Sequence, residues 1–178
     1  MSVYTEIRNQ EFMAQVCPTE GCMARRVVAS GLIAGVSSAA FQILVGAFLT
    51  HNPFAFLQLA AGMLLGREAL EYWFPISVSL PVGIAIHMIL SVLFAAGYLL
   101  VLRSVPWPVD TLGKTIAAAS AYALVLWLSN FYVIAPLFGW YWFLNMTDPL
   151  LQGLAAHGIF YGVVLGLCFG HSKEPTER

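Results

Sequence analysis

Charge is what this sequence has least of. Only 10% of its 178 residues are Asp, Glu, Lys or Arg, and they sum to −1. That excludes a nucleic-acid surface, which needs clustered Lys and Arg to neutralise phosphates. Cysteine is scarce too. Cys17, Cys22 and Cys168 are too few for a disulfide framework and read as unrelated free thiols. The first 24 residues have no apolar run and no small-residue cleavage site, so they do not read as a cleavable signal peptide. The first apolar run is therefore expected to stay in place as an anchor. Catalytic patterns are missing as well: no His-Glu-x-x-His, no phosphate-cradling glycine loop and no Ser–His–Asp arrangement. Glu68, Glu71 and Asp148 fall in loops near His51, where charges are ordinarily just solvated, so an enzyme is not the expected class.

What the sequence has in excess is apolar length. Hydrophobic residues make up 60% of the chain, and they gather in uncharged runs of about twenty, the length that crosses a bilayer as a helix. The expectation is an all-α membrane protein with four transmembrane helices, at about 27–50, 82–102, 115–135 and 151–170. Residues 1–24 form a polar N-terminal segment closed by a turn at Cys17-Pro18-Thr19-Glu20-Gly21-Cys22. Residues 25–178 are the transmembrane domain. Pro53 fits the first turn of a further helix at about 54–72. Arg67, Glu68 and Glu71 make that helix too polar to span, so it is expected to be interfacial or re-entrant in the first outer loop. Tyr72-Trp73-Phe74 and Trp140-Tyr141-Trp142-Phe143 read as aromatic belts at headgroup level, and 77–81 as a linker.

Basic residues set an orientation. Arg8, Arg25, Arg26, Arg103, Lys114, Lys173 and Arg178 flank the spans on one side and only Arg67 on the other. The positive-inside rule then puts both termini in the cytoplasm, in an assignment that suits a bacterial inner membrane.

Spans two and four echo each other. Aligned on His87 and His157, Gly83 matches Gly153, Ala85 matches Ala155 and Ala96 matches Gly166. The chain thus reads as two tandem hairpin repeats related by an axis along the membrane normal. That relation brings His87 and His157 to equal depth about a common axis. Two neutral imidazoles on facing helices suit the axial ligation of a b-type haem, with the glycine four residues earlier leaving room for the ring or the macrocycle. The alternatives are interhelical glue, with partners such as Gln42 and Asn130, or a proton or ion path. A weaker metal reading joins Cys17, Cys22, Cys168 and His171 as zinc or iron–sulfur ligands, but Cys-x4-Cys is not a usual short zinc spacing.

Small residues recur at steps of four. Gly31 and Gly35 lie on span one, and Gly158, Gly162, Gly166 and Gly170 on span four. This small-xxx-small pattern allows close helix crossing in lipid. It leaves open whether span four meets span one or another protein. The leading expectation is a small non-catalytic subunit packed within a larger membrane complex or a homo-oligomer, in contact with the lipid bilayer. The alternatives are a haem-binding electron-transfer protein using His87 and His157, and a small ion- or solute-conducting protein.

Overall fold

The structure, a computed structural model, describes residues 19–104, 111–145 and 151–170. The described residues are helices joined by turns, with no strand among them. Four helices are long and apolar enough to cross a membrane: Glu20–Thr50, Ile76–Ser104, Leu112–Leu137 and Gly153–Gly170. They are called spans one to four below. Their outward surfaces stay apolar, with Val36, Leu44, Leu93, Leu100 and Val125 all more than half exposed. A water-soluble bundle would hide such stripes; in a bilayer they meet lipid.

Three spans begin earlier than their apolar runs, span three only slightly, at Leu112. Span one starts at Glu20 because the Thr19 hydroxyl accepts the Cys22 N–H at 3.2 Å and caps the helix. Arg25 and Arg26 therefore lie on the helix and not before it. Span two starts at Ile76, and the stretch 77–81 is helical instead of a linker. The Pro75 carbonyl opens it by accepting from Val78 N and Ser79 N at 2.9 and 3.2 Å. The loop helix is shorter than the 54–72 segment: Ala55–Leu65, then a 3-10 turn at Arg67–Leu70. Gly66 divides them with φ +79, a conformation that suits glycine.

The spans pair as two hairpins. Span one packs along span two, span three along span four, and spans one and four join the hairpins. Each hairpin is zipped by glycine. A Cβ at Gly31 would sit 2.7 Å from Val92 Cα, and one at Gly35 would sit 2.5 Å from Ser91 Oγ. In the second hairpin, Cβ atoms at Gly162 and Gly166 would each fall 2.6 Å from a backbone Cα, those of Ser120 and Ile116. The glycine row of span four thus meets span three of the same chain.

Spans two and three touch mainly through tyrosines. Tyr98 donates to Thr115 O at 3.1 Å and Tyr122 to Phe94 O at 2.8 Å. Tyr161 on span four donates to Ser91 O at 2.6 Å. At the end bearing Arg25, Arg26, Arg103 and Lys114, the basic end, Tyr98 packs edge-on to Phe169 with centroids 5.3 Å apart. There the Arg26 guanidinium donates to Cys168 O and Phe169 O at 2.6 and 2.8 Å, covering carbonyls at the end of span four.

The opposite, aromatic end is wound differently. Gly46–Thr50, Asn130–Ile134 and Leu151–Val163 are π-helical, all toward this end of their spans. The space between the hairpins lies at this end.

Gly162→Val and Gly166→Val should each cost about 1–3 kcal/mol by overpacking the backbone contact. Thermal unfolding in detergent checks this. Gly21→Ala, with nothing within 4 Å of the added carbon, should unfold like the parent. Parent-like melting of Gly162→Val would contradict the close crossing.

Candidate functional site

The space between the hairpins holds a chamber of about 120 Å³. Every span contributes a polar side chain: Gln42 from span one, His87 from span two, Asn130 from span three and His157 from span four. Ser38, Ser91 and Tyr161 complete the polar lining. Phe56, Phe94, Phe131, Phe143 and Trp140 supply aromatic walls, and no charged residue lines the chamber.

A wider vestibule of about 610 Å³ lies at the aromatic end. Thr50, Asn52, Gln58, Arg67 and Glu71 line it, and Gln42 and Leu59 line both spaces. Gln42 and Leu59 therefore mark the junction between a polar antechamber and an apolar inner chamber. The Trp142 indole N–H also borders the vestibule and is buried without a hydrogen-bond partner. Toward the basic end the buried side chains Tyr98, Leu165 and Phe169 fill the space between the hairpins.

The short helix helps to build the chamber. It packs on span two where Gly83 has no side chain, bringing the Leu57 carbonyl against the glycine Cα. Phe56 then meets His87 edge-on, with centroids 5.5 Å apart. In the second hairpin Gly153 accommodates the Trp127 ring, 2.6 Å from where a Cβ would lie. Phe131 meets His157 edge-on at 5.8 Å. The two glycines thus make room for a backbone carbonyl and an indole, not for the imidazoles or a macrocycle.

The two histidines do share one cavity, as their alignment led us to expect. His87 Nε2 lies 3.0 Å from Gly35 O. A carbonyl only accepts, so Nε2 carries the proton and donates across the hairpin. That is interhelical glue, and it engages a nitrogen that would otherwise be available to a metal. Size argues in the same direction: an engineered cavity of about 150 Å³ takes a single benzene. A four-pyrrole macrocycle does not fit a chamber of about 120 Å³.

The cysteine reading changes at one position. Cys22 is disulfide-bonded, so it is neither a free thiol nor a thiolate ligand. Cys168 is free. Cys17 and His171 lie outside the described residues, and no group of three or more metal-ligating side chains forms among the described ones. Sequence reasoning singled out Gln42, Asn130 and both histidines as buried polar residues. It missed Ser38, Ser91 and Tyr161, whose residue types are too common in helices to stand out alone.

No known protein family, characterised protein or solved structure matches this chain. Its class is therefore defined by its own architecture: among the described residues, four helices long and apolar enough to cross a membrane, around a polar-studded chamber.

Expression with ample haem should yield protein without a Soret band; a b-type spectrum lost in His87→Ala would overturn this account of the chamber. His87→Leu should cost about 0.6 kcal/mol in thermal stability, the usual worth of one interhelical hydrogen bond in a membrane.

Proposed function

We propose that this protein is a small solute-handling membrane protein that takes an uncharged molecule into the chamber between its hairpins from the aromatic face. One observation carries the reading: a polar side chain from each of the four spans lines one cavity, and one of them, Gln42, also lines the vestibule. Buried polar groups in a bilayer are costly and tend to mark sites or pathways. The wall composition fits a pocket for a small ligand, mainly apolar with a few convergent polar atoms. The buried side chains Tyr98, Leu165 and Phe169 fill the space beyond the chamber, so release to the basic side requires the hairpins to part there. The π-helical segments around the chamber are the elements suited to that movement.

In this reading the basic end faces the cytoplasm of a bacterial inner membrane, with both termini inside and the vestibule opening outward. The short helix Ala55–Leu65 then dips from the outer face against span two, and the hairpins descend from one duplicated unit. Cytoplasmic placement also subjects the Cys22 disulfide to reducing conditions. A reporter fused to the C-terminus should be active only as a cytoplasmic marker.

A second reading, a subunit of a larger complex, is favoured by the aromatic apex, where Tyr72 is 97% exposed and Leu137 78%. The glycine faces no longer support it, because neighbouring spans of the same chain occupy them. Co-purification of a stoichiometric partner in mild detergent would favour that reading.

The chamber reading is tested by thermal unfolding against a panel of small uncharged rings and alcohols. Some should raise the melting temperature of the parent but not of Ala60→Trp, which fills the chamber from the short helix. No shift with any of them would contradict the proposal.

A further inference from the structure

Four of the donors around the chamber are committed to backbone carbonyls, and Gln42 donates to the Ser38 hydroxyl at 3.4 Å. His87 donates from Nε2 to Gly35 O at 3.0 Å. Ser91 donates its hydroxyl to His87 O at 2.7 Å, one turn back on its own helix. Tyr161 donates to Ser91 O at 2.6 Å. Asn130 donates one amide hydrogen to Leu126 O at 2.8 Å. These four bonds all end on backbone carbonyls, and three of the donors have only one hydrogen to give. What Ser91 and Tyr161 retain are oxygen lone pairs. What His87 retains, in the tautomer its bond requires, is the bare lone pair of Nδ1.

From this we infer that the chamber selects a neutral hydrogen-bond donor no larger than one hydroxylated ring, of the phenol type. The inference rests on the chamber reading above and adds the ligand's chemistry. Donors are favoured because the lining offers acceptors that a ligand without O–H or N–H leaves unmatched. Neutrality follows from a lining without Asp, Glu, Lys or Arg, since an unpaired charge in such surroundings is strongly disfavoured. The size limit follows from the volume of about 120 Å³, set against the roughly 150 Å³ cavity that holds benzene. The ring preference follows from the walls: Phe56, Phe94, Phe131 and Phe143 offer faces and edges for stacked or edge-on contact. An aliphatic alcohol would satisfy the acceptors but forgo those contacts.

Phenol and fluorobenzene separate the hydrogen bond from the ring, because they differ little in shape and only phenol donates. Each is titrated calorimetrically into the purified full chain in detergent. Heat measured with Ala60→Trp is subtracted to remove partition into micelles. Phenol should bind about tenfold more tightly than fluorobenzene, the worth of one well-made hydrogen bond at the upper end of its range. Ser91→Ala and Tyr161→Phe should each weaken phenol about three- to tenfold and leave fluorobenzene unchanged. Equal binding of the two rings by the parent would overturn donor selectivity while leaving the chamber as a ring site. Binding of neither ring above the Ala60→Trp background would overturn both the selectivity and the chamber reading. The parent comparison stands even where a variant fails to fold.

Discussion

Close contact at four glycines, three against backbone and Gly35 against the Ser91 side chain, is the constraint on which the rest of this molecule depends. Gly31 and Gly35 bring span one onto Val92 and Ser91; Gly162 and Gly166 bring span four onto Ser120 and Ile116. Water does not drive helices together inside a bilayer, so close packing has to do so, and packing needs backbones that can approach. The contacts lie from mid-membrane toward the basic end. Three spans carry π-helical winding toward the other end, where the chamber lies. Closure of one half thus sets the position and depth of the opening in the other.

The same solvent argument explains the polar atoms. With no water available, hydroxyl and imidazole groups turn to the backbone carbonyls of neighbouring turns and spans. Three tyrosines do this between the hairpins, and His87 does it within the first hairpin, onto Gly35. This has a chemical consequence. Donors used to hold the fold leave acceptors facing the space they enclose, so stability and ligand preference come from the same bonds.

Much of the architecture was legible in the sequence because it is written in long apolar runs. Their number and approximate places need only length and hydropathy. Helix starts were less legible, because Thr19 and Pro75 act through local hydrogen bonds that extend helices into polar residues. The glycine rows announced close packing but not a partner: spacing on one helix says which face is thin, not what lies against it. The histidines were legible as a pair, and they do line one cavity. Their roles were not, since the His87–Gly35 bond joins residues 52 positions apart. The bonded state of Cys22 was likewise invisible to spacing. The chamber is a product of which spans pair, and no single stretch of sequence contains it.

The central claim is a chamber open toward the aromatic end and closed toward the basic end. Single cysteines placed in a cysteine-free background, in membrane vesicles of known sidedness, test it most directly. Gln42→Cys and Ala60→Cys should react with a membrane-impermeant thiol reagent applied from the Arg67 side and not from the Arg103 side. Ala119→Cys, at a fully buried position in the zipped half, should react from neither. Labelling of Gln42→Cys from the Arg103 side, or from no side, would contradict the account.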